Sequence, residues 1–357
     1  MVFIFFIIKG VSSVENLDIS EDFIPEHFIS VVVAIRNEEH TISNLIEDLK
    51  KQFYPNNLFE VILVNDHSTD DTANVVNENI KNSNQFAFLE LTEEIGKKAA
   101  LQHGYNAAKG EFILTIDADC GVNENWILAY AYAANQLNAD LILGPVKYHE
   151  EKGFLHQFQE FEQLALQAVT IGSVGIKNPI LSNGANMIFR KTVLDKINDP
   201  LSQKYASGDD IFLLQNIKRD KQLKVAFAKS KEAMVETKAA ATLREMFAQH
   251  MRWFSKSKGY TDFFMILSAG IIGMANFTLF VLFILCVFNF YFLQFFMLGL
   301  LLKTFVDLAL LISAARMHDR KIQFSALLFH ELMYSFFSVA VFVGSFLFRP
   351  LWKGRKI

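Results

Sequence analysis

A long apolar segment near the carboxyl terminus, residues 263–315, constrains the fold more than any other feature. Its only acidic or basic side chains are Lys303 and Asp307. A membrane crossing needs about 20 apolar residues, so a segment of about 50 is enough for two spanning helices and too long for one buried helix. The alternative, an unusually apolar soluble helical domain, fits this pattern poorly.

Basic residues flank this segment and predict its topology. They are Arg252, Lys256 and Lys258 before it and Arg316, Arg320 and Lys321 after it. Basic residues favour the cytoplasmic side of a membrane, so we expect an integral membrane protein whose larger domain lies in the cytoplasm. Cys120 and Cys286 have no evident reason to pair, which fits that reducing compartment.

A second apolar stretch, residues 324–348, is interrupted by His330 and Glu331. A full third crossing would place the following basic residues outside. They are Arg349, Lys353, Arg355 and Lys356. We therefore expect this stretch to be re-entrant or to lie on the membrane surface.

Lys303 and Asp307 are four residues apart, so they share one face of a helix. Inside a membrane such residues pair with one another or mark a functional path. We expect an ion pair here, and a path for a lipid acceptor is the alternative.

Length and charge set broad limits. A chain of 357 residues suggests about two domains, and a net charge of −4 argues against a nucleic-acid partner. The apolar residues 1–8 reach only about 12 Å as a helix, too short to span. The stump of a longer amino-terminal anchor is one interpretation of them, which the sequence leaves open. The expected divisions are an amino-terminal segment at 1–28, an α/β domain at 29–258 and a membrane region at 259–357.

Residues 29–116 alternate between strand and helix patterns. Runs rich in β-branched and aromatic residues predict strands at 29–35, 59–64, 86–91 and 111–116. Apolar residues at helical spacing lie between them, as in residues 42–49. This order is typical of a nucleotide-binding α/β sheet.

Two carboxylates, Asp117 and Asp119, close the fourth predicted strand. Ligands of open α/β sheets bind at the carboxyl ends of strands. Carboxylate oxygens there suit Mg²⁺ or Mn²⁺ carrying a diphosphate, because such ions combine one or two carboxylates with phosphate oxygens. The alternative is a solvated turn, since Asp is a common turn residue.

Four further motifs follow in order along the chain. They are Ala34-Ile35-Arg36-Asn37-Glu38-Glu39, Val64-Asn65-Asp66-His67-Ser68-Thr69-Asp70, Ser207-Gly208-Asp209-Asp210 and Gln249-His250-Met251-Arg252-Trp253. With the Asp-x-Asp motif, this set resembles the family 2 glycosyltransferases over residues 29–260. The apolar tail resembles their membrane-bound branch, which includes cellulose, hyaluronan and glycolipid synthases. The resemblance implies an α/β fold with a GT-A-like nucleotide-binding sheet and flanking helices, followed by a C-terminal transmembrane helical region.

The resemblance also implies roles on the donor side. Ala34, Arg36 and Glu38 would lie beside the nucleotide, and Asp66 would accept a hydrogen bond from the uracil imide. Lys97 would offer its charge to a phosphate. The alternatives are a helix cap for Asp66 and a helix-start charge for Glu38.

For the reacting centre, the resemblance implies that Asp117 contacts the sugar or diphosphate, and that Asp119, with Asp117, holds the cation. Asp210 would be the general base that takes the acceptor's proton. Asp209 stands where the family more often has Glu, which puts only that neighbouring contact in doubt. The alternative for Asp210 is a charge at a helix start.

On the acceptor side, Gln249 and Arg252 share a face of one helix with Trp253 close by. The resemblance implies that this motif closes over the diphosphate and acceptor, the alternative being a membrane-interface anchor. Asn183 and Gly184 would belong to an acceptor loop or to an ordinary turn.

We therefore expect an inverting, metal-dependent glycosyltransferase at the cytoplasmic membrane face. Its partners would be a nucleotide-sugar donor, UDP-linked by preference, a lipid or glycan hydroxyl as acceptor, and membrane lipid. The alternatives are a polyprenyl-phosphate sugar transferase, a non-catalytic membrane scaffold that binds nucleotide sugars, and a nucleotidyltransferase.

Overall fold

The computed structural model describes residues 2–202, 204–205, 207–318, 322–348, 351–352 and 355–356. Within them the α-helices are α1 (Val2–Ser13), α2 (Ile42–Lys50), α3 (Thr72–Ile80), α4 (Lys97–Ala107), α5 (Trp126–Leu137), α6 (Phe154–Gly175), α7 (Thr192–Lys196), α8 (Asp209–Arg219), α9 (Leu243–Lys256), α10 (Phe263–Phe288), α11 (Leu293–Ala315) and α12 (Phe324–Leu347). The strands are β1 (Ile29–Ile35), β2 (Phe59–Asn65), β3 (Phe86–Glu90), β4 (Phe112–Thr115), β5 (Gly121–Val122), β6 (Leu141–Leu143), β7 (Val146–Tyr148), β8 (Met187–Arg190), β9 (Val225–Phe227), β10 (Val235–Thr237), β11 (Leu351–Trp352) and β12 (Arg355–Lys356). The basic residues Arg320, Lys321, Arg349 and Lys353, which support part of the predicted topology, lie outside the described residues.

The chain divides into two compact units. The sheet unit comprises Val14–His149 and Leu181–Lys238, and the helical unit comprises Met1–Ser13, Glu150–Ile180 and Ala239–Ile357. These units describe packing, and the predicted domain boundaries after residues 28 and 258 stay a prediction.

The described part of the sheet unit contains a seven-stranded mixed sheet in the order β3-β2-β1-β4-β8-β6-β9. Strands β3, β2, β1 and β4 run parallel, and β8 is antiparallel to both β4 and β6. A smaller sheet pairs β5, β10 and β7. The predicted α/β sheet with flanking helices is therefore confirmed.

Side-chain packing explains why helix α4 lies so close to this sheet. A Cβ atom on Gly104 would lie 2.5 Å from Cγ1 of Val32 and 3.2 Å from Cγ2 of Val64. Only glycine lets the helix backbone approach β1 and β2 this closely. The start of α4, where Gly96 and Lys97 lie, is thereby held beside the carboxyl ends of the strands.

The helical unit contains α10, α12 and the segment Phe290–Ala315, which are long and apolar enough to cross a membrane. The two spans expected within residues 263–315 are present as candidates. Helix α12 runs without interruption over 24 residues, which argues against the expected re-entrant course, because that course requires a break. The other expectation, a helix lying on the membrane surface, stays a prediction. His330 and Glu331 lie inside the helix and are buried, at 7% and 2% exposure.

Polar residues pair within the apolar helices. Nζ of Lys303 lies 2.7 Å from Oδ2 of Asp307, which confirms the predicted ion pair. Lys303 also contacts the Glu331 carboxylate of α12, a partner that the spacing of residues on one helix does not predict.

Helix α1 packs against α6 by direct backbone contact. A Cβ atom on Gly10 would lie 2.0 Å from the carbonyl oxygen of Gly172. Small residues allow such close approach between apolar helices. The short apolar segment at residues 2–13 is therefore a packed helix of this unit.

Candidate active site

The carboxyl ends of β1 and β2 are held together by hydrogen bonds from the Arg36 side chain to backbone carbonyls. Nη1 of Arg36 donates to the carbonyl oxygens of Asp66 and His67, at 2.5 and 2.9 Å. Asn37 and His67, in the two loops, have left-handed φ angles of 52° and 53°. Such strained positions are concentrated at functional sites.

Asp66 joins this edge to the start of α4. Its carboxylate Oδ1 accepts the backbone N–H of Gly96 at 3.0 Å, and the residue is only 1% exposed. Gly96 has a φ of 112°, which L side chains rarely adopt. Asp66 is not a helix cap, because α3 begins at Thr72 and its N-cap is Asp71.

Two other predicted donor-side residues lie on and after β1. Ala34 is a half-buried residue of that strand. Glu38 lies in the turn before α2, where its backbone N–H donates to Oγ1 of Thr72 and its Oε2 accepts from Oγ1 of Thr41 at 2.8 Å. Both side chains therefore lie near the end of β1, and the described contacts of Glu38 are those of a turn residue.

Lys97 is the centre of the charged cluster. Its Nζ lies 2.5 Å from Oδ1 of Asp117 and 4.0 Å from Oδ2 of Asp209. Burial alone would lower the pKa of Lys97, but the carboxylates of Asp117 and Asp209 outweigh burial and hold it above its ordinary value. The ammonium is therefore a permanent positive charge between Asp117, in the loop after β4, and Asp209, at the start of α8.

Asp209 and Asp210 begin α8, directly after Gly208, whose φ is 91°. The backbone N–H of Gly184 donates to Oδ2 of Asp210 at 3.3 Å. A Cβ atom on Gly184 would lie 3.0 Å from Oδ2 of Asp209. Glycine is therefore the residue that lets this loop approach both carboxylates.

The loop containing Gly184 is anchored by a residue whose role the sequence did not reveal. Asn186 is fully buried, and its side chain makes four hydrogen bonds. Its Nδ2 donates to the carbonyls of Pro145 and Ala233, and its Oδ1 accepts from Trp126 and Tyr130. Asn183 accepts the Ala185 N–H through Oδ1, as an ordinary turn residue does.

Tyr105 is a second residue that the sequence reasoning missed. Its side chain is fully buried, and its hydroxyl has no hydrogen-bond partner among the described residues. Burial, and then the nearby Asp209 carboxylate, raise the pKa of Tyr105 well above its usual value. The available signal in the sequence was the position of Tyr105 on α4, two helical turns after Lys97, because residues at that spacing lie on the same face of a helix.

No three His, Cys, Asp or Glu side chains in the described ranges are grouped to hold a metal ion. Asp119 is exposed, two residues beyond the half-buried Asp117. Mg²⁺ and Mn²⁺ are held by one or two carboxylates together with phosphate oxygens. The donor set therefore fits a cation that arrives with a diphosphate and does not fit a cation bound by protein alone.

The remaining predicted residues, Gln249, Arg252 and Trp253, lie on α9 of the helical unit. This helix has a capped start, since Thr242 Oγ1 accepts the Glu245 N–H at 3.2 Å. The buried Oε1 of Gln249 has no hydrogen-bond partner within the described part of the chain. Lys97, Asp117, Asp209, Asp210 and Gly184 meet in the sheet unit.

Comparisons with known proteins bear on the class of this protein. Residues 30–197 match the sequence model of glycosyl transferase family 2. The chain is 33% identical over 147 residues to glycosyltransferase GlyG of Streptococcus pneumoniae, covering 40% of this chain and 48% of that protein. It is 34% identical over 103 residues to beta-monoglucosyldiacylglycerol synthase of a Nostoc species, covering 28% and 22%. The chain thus spans less than half the length of these two relatives.

The fold resembles that of mannosyltransferase PcManGT from Pyrobaculum calidifontis, solved in complex with GDP-Man and Mn²⁺. The TM-score is 0.61 at 16% sequence identity, over 97% of this chain and 94% of that one. The mixed sheet with its flanking helices is therefore a GT-A glycosyltransferase fold. Residues 30–197 are thus similar to glycosyl transferase family 2, and the candidate membrane spans follow the matched segment.

Proposed function

We propose that the protein is a metal-dependent, inverting glycosyltransferase that works at the cytoplasmic face of a membrane. It would move a sugar from a nucleotide diphosphate, UDP-linked by preference, to a hydroxyl group of a lipid or glycan. The observation that carries the proposal is the convergence of Lys97, Asp117 and Asp209, with Asp210 held beside them by Gly184. The similarity to beta-monoglucosyldiacylglycerol synthase and the candidate membrane spans support a lipid acceptor.

Asp210 acts as the general base. Its carboxylate takes the proton of the acceptor hydroxyl while that oxygen bonds to the anomeric carbon of the donor sugar. The bond from this carbon to the diphosphate oxygen breaks, and its electron pair leaves with the nucleoside diphosphate. Attack opposite the leaving group inverts the anomeric centre. A positioned base contributes typically about 10²–10⁴-fold to such a rate.

Lys97 and Asp66 bind the donor. The Lys97 ammonium, kept charged by Asp117 and Asp209, faces the negative diphosphate as a point charge. Asp66, beside Gly96, accepts the imide N–H of uracil. Guanine also offers an N–H donor, so GDP-sugars belong in any donor panel, as the ligand of the solved mannosyltransferase suggests.

Asp119, with Asp117, holds the divalent cation that accompanies the donor. The cation supplies positive charge to the diphosphate oxygens. Asp119 is exposed and would be accessible to such a cation. On the acceptor side, Gln249, Arg252 and Trp253 of α9 contact the acceptor and the leaving diphosphate, while Ala34, Arg36 and Glu38 border the nucleotide and Asn183 the acceptor.

The test is a donor panel. Purified protein is incubated with UDP- and GDP-sugars, a membrane lipid extract and Mg²⁺ or Mn²⁺, and the product is identified by mass spectrometry. We expect a glycosylated lipid or glycan and release of a nucleoside diphosphate, both abolished by chelation or by Asp119→Ala. Release of pyrophosphate would instead indicate a nucleotidyltransferase, and nucleotide binding without turnover would indicate a scaffold.

The need for a general base distinguishes the proposed enzyme, which acts on a hydroxyl acceptor, from a polyprenyl-phosphate sugar transferase. A phosphate acceptor is already ionised and needs no strong base. We expect Asp210→Asn to abolish transfer while the folded protein still binds nucleotide. Undiminished transfer by Asp210→Asn to a polyprenyl phosphate would favour the phosphate acceptor.

A further inference from the structure

Helix α9, which carries Gln249, Arg252 and Trp253, is joined to α6 and α12 by a buried ionisable pair. Nε2 of His250 lies 2.7 and 2.8 Å from the two carboxylate oxygens of Glu162 on α6. His250 and Glu162 are 9% and 7% exposed. The Tyr334 hydroxyl of α12 donates to Oε1 of Glu162 at 3.0 Å. Three helices therefore meet at one carboxylate.

The geometry requires a proton between His250 and Glu162. Nδ1 of His250 lies 2.8 Å from the Met246 carbonyl oxygen, which can only accept, so Nδ1 must carry a hydrogen. A neutral imidazole would then direct the lone pair of Nε2 at a carboxylate. Attraction at 2.7 Å needs a second proton, either on Nε2 or on the carboxylate.

We propose that this shared proton positions α9, so that Glu162 and His250 are positioning residues for the Gln249–Arg252–Trp253 motif. Loss of the proton at alkaline pH releases the helix. The inference rests on the proposed function for its effect on transfer. It involves no contact of either residue with the substrate. The motif lies immediately beside His250, whose ring packs 4.9 Å from that of Trp253.

The surroundings support a proton held above neutral pH. Burial alone would lower the pKa of His250, but the hydrogen bond and charge of Glu162, and then the Met246 carbonyl, raise it. Among the described residues, the titratable side chain that contacts the pair is that of Tyr334 from α12, through Glu162. Helix α12 otherwise presents the Phe337 ring to His250, and His330 stacks on the far side of Tyr334.

The chain offers a matched neutral control at the start of the same helix. The Gln159 side chain of α6 donates to the Ala240 carbonyl oxygen at 3.0 Å and accepts the Ala240 N–H at 2.8 Å. Gln159 is also buried, at 1% exposure. It joins α6 to the segment before α9 without an ionisable group, so Gln159→Ala weakens the same junction without changing its proton content.

The informative variant is Glu162→Gln. A glutamine amide N–H donates to the lone pair of Nε2 in neutral His250, and its oxygen still accepts from Tyr334. The junction then needs no extra proton. We expect the rate of transfer by the wild type to fall about tenfold per pH unit above the midpoint of the His250 titration. The rate of Glu162→Gln should not change over the same pH range. Gln159→Ala should keep the pH dependence of the wild type.

The primary readout does not depend on transfer. In full-length protein in lipid nanodiscs, ¹⁵N-histidine spectra assigned with His250→Gln report the protons on His250, and hydrogen exchange reports the opening of residues 243–256. We expect two N–H groups on His250 above pH 7. In the wild type, hydrogen exchange in α9 should rise with pH by more than the intrinsic exchange rate of an unprotected amide does. In Glu162→Gln it should show no such additional rise.

Titration of His250 at or below about 6.5, its ordinary pKa, would overturn the proposal. So would exchange or transfer profiles that are the same in the wild type and in Glu162→Gln. If no donor sugar is transferred while exchange responds as expected, the proposed function fails and the positioning role stands.

Discussion

Nζ of Lys97 lies 2.5 Å from Oδ1 of Asp117, which ties the first residue of α4 to the loop after β4. The contact joins two segments that are 20 residues apart in the chain. It places a cation at the strand edge where the proposed diphosphate binds, and the charge of Asp209 stabilises it from a third segment.

Lys97→Met should lower kcat/KM for transfer by about 10²–10³-fold, the usual effect of losing one donor to developing negative charge. The adjacent Lys98 is the matched control. Its buried Nζ donates to the carbonyls of Leu201 and Ser202 at 2.6 and 2.9 Å. Lys98→Met should mainly cost stability, about 1–3 kcal/mol. Kinetics and thermal melting of both variants would test this, and a larger kinetic defect in Lys98→Met would contradict it.

Gly184→Ala should lower kcat while leaving the fold intact. The added Cβ would lie 3.0 Å from Oδ2 of Asp209 and 3.4 Å from Cβ of Asp210, so the start of α8 or the loop must shift by a few tenths of an ångström. A shift of the proposed base is costly because catalytic groups act over short distances. Gly273→Ala, with nothing within 4 Å, is the control. Equal kcat in both variants would argue against a role for Asp210.

Lys303→Met should destabilise the helical unit by about 3–5 kcal/mol, because it leaves the buried Glu331 and the part-buried Asp307 without their cation. Lys303 is paired with Asp307 and with Glu331. The triple variant Lys303→Met, Asp307→Asn, Glu331→Gln removes all three charges and should recover most of that loss. Unfolding in detergent micelles measures both. A triple variant no more stable than the single one would show that the charges are not the cause.

Stability should fall as pH rises above about 6.5, the ordinary His value. The pKa of His250 is raised in the folded protein, so the folded state binds its proton more tightly than the unfolded state does. The stabilisation is complete below the unfolded pKa and is lost as pH rises through the folded pKa. The free energy of unfolding should decline by up to about 1.4 kcal/mol per pH unit in that window. Thermal melting of the wild type against Glu162→Gln isolates this contribution.

The strands, the nucleotide-type sheet and the apolar helices were predictable because each rests on a local pattern. Strand β1 is rich in β-branched residues, and α2 shows apolar residues at helical spacing. The same locality explains the ion pair of Lys303 with Asp307, since both lie on one helix.

Contacts between distant segments were not predictable from a single sequence. The meeting of Lys97 with Asp209 and the contact of Asp66 with Gly96 depend on how strands and loops pack. Asn186 has no sequence signal for its four bonds, since Asn is equally common in turns. The continuity of α12 was missed because His330 and Glu331 find buried partners on other helices.

The glycine at position 104 sets the height of the Lys97 ammonium above the sheet. Seven residues of helix, about 10 Å, separate the two positions, and the helix rests on Val32 at one end and presents its cation at the other. A methyl group added at Gly104 would push α4 away from Val32 and would move the ammonium of Lys97 away from the carboxylate of Asp117. The proposed contact of Lys97 with the donor therefore depends on packing inside the sheet unit, between Gly104 and Val32.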